Sequence, residues 1–106
     1  MTAGAPKMLF VLHCLDKPAS AGLRAVTRDD HLAYVARSGA MVRMAGPLQS
    51  DDGESRVGSL IVLEAETLDA ARAWAAEDPY AEVGLFERVE VKGWRWLISD
   101  GAKRQA

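Results

Sequence analysis

The sequence predicts an α+β fold in which a four-stranded antiparallel sheet carries two helices on one face. Three observations predict it. Two runs, MLFVLHCL and VGSLIVLEA, are apolar through their middles and rich in strand formers, the mark of central strands. Two other stretches carry helical spacing between a capping residue and a glycine or proline stop. The elements also follow the order β-α-β-β-α-β, with a turn-rich step between the second and third strands.

Residues 1–7, MTAGAPK, are small and polar and are expected to fray. Residues 8–15 form the first strand, with Met8, Phe10, Leu12 and Cys14 on one face and Leu9, Val11, His13 and Leu15 on the other. Residues 19–26 are ambiguous between loop and a turn of helix. A first helix is expected from Thr27 as cap, with Asp30 in the capping-box position, to a left-handed stop at Gly39. Its expected core stripe is Leu32, Val35 and Ala36, with His31 at the border of that stripe. Residues 40–45 read as a second strand ending at Gly46-Pro47, residues 48–55 as a loop, and residues 57–65 as a third strand. The second helix has Thr67 as cap, Asp69 in its first turn and an apolar stripe of Leu68, Ala71, Trp74 and Ala75. Asp78 continues that face, and Pro79 stops the helix by pushing its predecessor out of the α region. A further short turn follows to Gly84, then a long fourth strand over residues 86–98. This is the split βαβ, or ferredoxin-like, arrangement. Both helices fall on one face of its sheet, so the other face calls for a cover, most cheaply a second copy of the chain, and a homodimer is expected.

The length of 106 residues predicts one domain, 1–106, with its core at 8–98 and flexible ends at 1–7 and 99–106. A formal net charge of −2 gives no electrostatic reason to expect nucleic acid or an anionic membrane as partner. The single cysteine, Cys14, rules out an intrachain disulfide and suits a reducing cytoplasm. The chain start lacks the charged onset and apolar run of a signal peptide, and no apolar stretch reaches the roughly 20 residues of a membrane span. The expected location is cytoplasmic.

Asp78 organises the search for chemistry. A helix C-terminus is a poor place for an acid, so the residue calls for a cationic or hydrogen-bond-donating partner. His31, on the other helix, is the candidate. A histidine held by a carboxylate is fixed in one tautomer and its charged form is favoured, which suits general acid-base work. The competing reading is a buried pair that only ties the helices together. Tyr80 has two readings, a hydrogen-bond donor into a cleft or a ring packed across the helix end. His13 is either a satisfied strand histidine or part of a ligand-binding surface on the sheet face. His13 and Cys14 point to opposite faces and cannot share a metal, and no cluster with zinc spacing exists elsewhere, so no metal and no cofactor is expected. Trp94 and Trp96 beside Arg88, Glu90 and Lys92 raise the question of base stacking. RNA-binding domains of this strand order place aromatics on the two central strands, which here carry aliphatics.

Several segments together resemble the YCII-related family of small bacterial proteins: MLFVLHCLDK, RDDHLAYVARSG, MAGPL, VGSLIVLEA and AAEDPYAEVGLFERVEVKGW. The most specific are the histidine ahead of an apolar helix and the Asp-Pro-Tyr step. The resemblance implies a ferredoxin-like fold forming a dimeric α/β barrel, with an active site on a His and an Asp, here His31 and Asp78. The chain departs from it in having Asp29 where members often have a proline early in the first helix, and in a short acidic loop at residues 49–56; residues 99–106 lie outside the match. Two functions follow. One is an enzyme in which His31, assisted by Asp78, moves a proton on a small metabolite in lyase or isomerase-type chemistry, with Tyr80 and His13 as substrate-binding residues. The other is a non-catalytic ligand-binding or dimer-forming module in which the pair is a structural pin.

Overall fold

The computed structural model describes residues 7–104. Strands β1 (Met8–Asp16), β2 (Val42–Gln49), β3 (Arg56–Ala65) and β4 (Phe86–Trp94) form one sheet in the order β2-β3-β1-β4, every neighbouring pair antiparallel. Helices α1 (Ala21–Ser38), α2 (Leu68–Glu77) and the short α3 (Pro79–Glu82) cover one face. The fold is the expected ferredoxin-like α+β arrangement. β1 is central, and it turns Phe10, Leu12 and Cys14 into a core completed by Ile61, Leu63 and Ala65 of β3 and by Ala71, Trp74 and Ala75 of α2. Residues 1–6, most of the segment expected to fray, and residues 105–106 lie outside the described region.

The second half of the chain follows its local signals. Thr67 caps α2 by accepting from the Ala70 N–H at 3.0 Å. The buried stripe is Ala71, Trp74 and Ala75, and α2 ends at Glu77. Pro79 then occupies the first position of α3, where its missing N–H costs nothing, and Gly84 closes the turn at φ 75°.

The first helix departs from expectation. It begins at Ala21, so the ambiguous residues 19–26 are largely its first two turns and Asp29 falls in its third. Thr27 is not a cap: it is buried mid-helix, where its Oγ1 donates to the Leu23 carbonyl at 2.8 Å. The earlier start changes which side faces inward. The buried residues are Arg24, Thr27 and His31, while Leu32 of the expected stripe is 44 % exposed. A polar stripe is tolerated on the buried side because each member finds a partner there.

Two strand ends also differ. β2 starts later than expected and runs on through Pro47, which is accommodated because β2 is an edge strand. β4 stops at Trp94, short of residue 98, because the alternation of the sequence continues where the backbone has already left the sheet. Ile98–Ser99 (β5) and Ala102–Lys103 (β6) pair as a small hairpin around Asp100 and Gly101, both at positive φ. Arg104 stacks over Trp96 at 3.8 Å, so the tail expected to be loose is folded as far as that residue. The sheet face away from the helices carries Leu60, Met44 and Trp94, each about two-fifths exposed.

A Cβ at Gly58 would overlap the carbonyl oxygen of Cys14 and meet Leu48 Cδ1 at 2.9 Å. Gly58→Ala is expected to cost about 1–3 kcal/mol as an overpacking change, measured by urea denaturation. At Cys14, burial first and then the charge of Asp78 push the thiol up from 9.0 to about 12. A folded-state acid raised in this way favours folding fully below pH 9.0, and that contribution is lost as pH rises toward about 12. The native protein should therefore resist iodoacetamide at about pH 8.5 and react once unfolded in urea.

Candidate active site

Asp78 stands in the break between two helices, with φ −60° and ψ 128°, outside the helical region, as a residue before proline must be. It closes α2 and opens α3: its Oδ1 accepts from the Tyr80 N–H at 2.9 Å. The unfavourable end of one helix is thus also the favourable start of the next turn. The side chain is only 2 % exposed.

His31 answers it from the third turn of α1, Nδ1 lying 2.8 Å from Asp78 Oδ1. The two meet between the middle of the first helix and the break after the second, not where the first helix begins. An ionised carboxylate can only accept, so Nδ1–H donates and the neutral ring presents Nε2 as an acceptor. Among the described residues nothing bonds Nε2.

Tyr80 stacks on His31, with ring centroids 4.1 Å apart and planes 16° from parallel. The Arg24 guanidinium lies 4.6 Å from the same ring. Arg24 and His31 are two helical turns apart on one side of α1, about 10.5 Å, which is the gap a ring held between them fills. Arg24 is itself fixed by a bidentate pair with Asp16, at 2.7 and 2.8 Å, and by Ser59 Oγ at 3.0 Å. Burial works against its charge, but the hydrogen bonds and charge of Asp16 outweigh it and hold the cation. Burial also pushes the Tyr80 phenol upward, with the charge of Asp78 adding and Arg24 opposing. Tyr80 stays protonated near neutrality.

A cavity of about 240 Å³ opens between α1 and strands β2 and β3. Arg24, Arg28, His31, Arg56, Ser59 and Tyr80 form its polar lining, and Leu32, Val35, Pro47 and Ile61 its apolar walls. A larger, shallower hollow of about 610 Å³ between α2 and β4 touches none of His31, Asp78 and Tyr80. Among the described residues no group of three or more His, Cys, Asp and Glu side chains could hold a metal ion, and no helix is long and apolar enough to cross a membrane.

Of the residues singled out from sequence, the fold brings His31, Asp78 and Tyr80 together. His13 does not join them. It alternates with Leu12 and Cys14, so it points to the open face of the sheet and is exposed there. Arg24, Arg28, Arg56 and Ser59 were not anticipated. Arg24 was hidden by the misplaced helix start, although it sits seven residues before His31 and so on the same side. Ser59 is the one polar residue in the inward row Ser59, Ile61, Leu63, Ala65, and that was its signal.

The YCII-related domain matches residues 8–95. Protein YciI of Escherichia coli O6:H1 (strain CFT073) is 35 % identical over 95 residues, covering 83 % of this chain and 97 % of YciI. A protein of Haemophilus influenzae shows the same identity and coverage. Among solved structures, 5-chloro-2-hydroxyhydroquinone dehydrochlorinase (TftG) from Burkholderia phenoliruptrix AC1100, in complex with 2,5-dihydroxybenzoquinone, is 30 % identical with a TM-score of 0.76, covering 83 % of this chain and 94 % of that one. Rv0793 from Mycobacterium tuberculosis, at 14 % identity and a TM-score of 0.51 over 90 % of this chain and 99 % of that one, shares the fold alone. The chain belongs to the YCII-related family.

Proposed function

We propose that this protein is a small-molecule enzyme that moves a proton through His31 in an elimination or isomerisation. One observation carries the reading: His31 Nδ1 is bound to a buried carboxylate while its ring lines an open cavity. With Nδ1–H committed to Asp78, Nε2 takes the substrate proton and the carboxylate stabilises the imidazolium that forms. The similarity to TftG supports this. Loss of HCl requires one proton to be removed and one chloride to leave with its bonding pair, and a positioned base supplies the first. Tyr80 orients the imidazole by stacking, and Cys14, buried and protonated, is unsuited to act as a nucleophile.

The second reading, a structural pin, is favoured by the double use of Asp78 Oδ1, which receives both His31 and the Tyr80 N–H. His31→Ala leaves a buried carboxylate without its partner and should cost about 3–5 kcal/mol on either reading. His31→Gln keeps a donor to Asp78 and removes the base, so it separates the two. With 5-chloro-2-hydroxyhydroquinone as trial substrate and chloride release as readout, His31→Gln is expected to stay folded and lose about 10²–10⁴-fold in turnover. Turnover at the wild-type rate in that variant would assign the pair to structure. So would wild-type protein that releases no chloride and exchanges no protons with hydroxyquinones or cyclic diones in D2O, followed by NMR.

We also propose that the open sheet face is covered by a second copy. Its support is the partly exposed row Leu60, Met44 and Trp94 beside Val11 and Val62. On that arrangement His13 lies in the dimer seam. Sedimentation at micromolar concentration should give twice the chain mass, and Leu60→Lys should give a folded monomer.

A further inference from the structure

We infer that the cavity beside His31 takes a ring-sized oxyanion, with Arg28 and Arg56 holding its negative charge and Ser59 donating to a second oxygen. This rests on the proton-transfer reading for what happens next, but binding is tested separately from it.

The charge balance of the cavity is the first ground. The chain as a whole is acidic, at −2, yet no Asp or Glu lines this cavity and three arginines do. Arg24 is neutralised by Asp16 at 2.7 Å, and Asp78 lies behind the imidazole. Arg28 and Arg56 are left: among the described residues neither has a carboxylate within 4.0 Å. Arg28 stands one turn from both Arg24 and His31 on α1, and Arg56 faces it from the first residue of β3. The two cations therefore approach the cavity from different elements. An anion between them gains charge-assisted hydrogen bonds that a neutral molecule does not.

Unspent hydrogen-bonding capacity is the second ground. Ser59 is 4 % exposed, and its Oγ accepts from Arg24. Its own proton has no acceptor among the described residues, so it is available to an oxygen in the cavity. His31 Nε2 offers the complementary acceptor for a hydroxyl proton. A free donor and a free acceptor beside two cations suit a molecule carrying both an ionised oxygen and a hydroxyl or enol.

Size and shape are the third ground. A dry cavity of about 150 Å³ is enough for benzene. Some 240 Å³ between Leu32, Val35, Pro47 and Ile61 fits one six-membered ring with small substituents. The class is thus a hydroxylated cyclic enolate or phenolate.

The test uses 2,5-dihydroxybenzoquinone, a vinylogous acid ionised at neutral pH, and its uncharged dimethyl ether, titrated calorimetrically. Expected is binding of the anion to wild type, weakened by added salt, with the ether about tenfold weaker or worse. Arg28→Gln and Arg56→Gln should each weaken the anion about tenfold to a hundredfold, the size of one charge-assisted hydrogen bond, and leave the ether unchanged. Both arginines are exposed, so their variants should melt as wild type does. Equal affinity for ether and anion, arginine variants within about twofold of wild type, or no binding of the anion at millimolar concentration would each overturn the assignment. The same titration on His31→Gln keeps the two claims apart. Silent arginine variants with turnover still lost in His31→Gln sink the anion site alone, whereas tight anion binding with turnover retained in that variant sinks only the proton transfer.

Discussion

Asp78 is a carboxylate taken almost entirely out of water, and the helix face of this protein is arranged around it. Burying such a group unpaired costs several kcal/mol. Here the cost is met by two donors on a single oxygen, the His31 imidazole and the Tyr80 backbone N–H. Pro79 places the carboxylate by forcing the chain out of helix one residue earlier. Remove the proline and α2 has no reason to stop where it does; remove the histidine and the carboxylate loses one of its two donors. Site and fold share these atoms, so changes here are felt in stability as well as in chemistry.

The inward side of α1 extends this logic. Arg24, Thr27 and His31 are an unusual set to bury, and each is satisfied locally or across the layer: Asp16 and Ser59 for Arg24, the Leu23 carbonyl for Thr27, Asp78 for His31. Tyr80 completes the row by filling the space between two of them. The apolar packing that holds the helix down comes lower, from Tyr34 and Val35, with Tyr34 donating to the Trp74 carbonyl and Trp74 to Ser38. One end of α1 is therefore polar and opens on a cavity, and the other is closed and ties the helices together.

How much of this was legible beforehand depended on whether the signal was local. Thr67, Pro79 and Gly84 mark α2 and α3 because capping, proline sterics and left-handed glycine act within a few residues. The pairing of His31 with Asp78 was legible because a carboxylate on an apolar helical face demands an answer and the chain has only two histidines. The start of α1 was not, since Ser20 precedes it without a side-chain capping bond and Thr27 imitates a cap while sitting inside. Arg28, Arg56 and Ser59 meet only through the tertiary fold, and no spacing rule links them. The end of β4 failed for a different reason: alternation reports which way side chains point, not where the backbone leaves its neighbours.

Gly58 bears on more than packing. Opposite Leu15, its bare Cα admits the Cys14 carbonyl where any side chain would collide. Sliding β3 by a single step would press Val57 or Ser59 against that oxygen and turn the Ser59 hydroxyl out to the far side of the sheet. The missing methyl thus acts as a notch that admits one alignment of the two central strands, and that alignment is the one that keeps the Ser59 hydroxyl on the cavity side of the sheet.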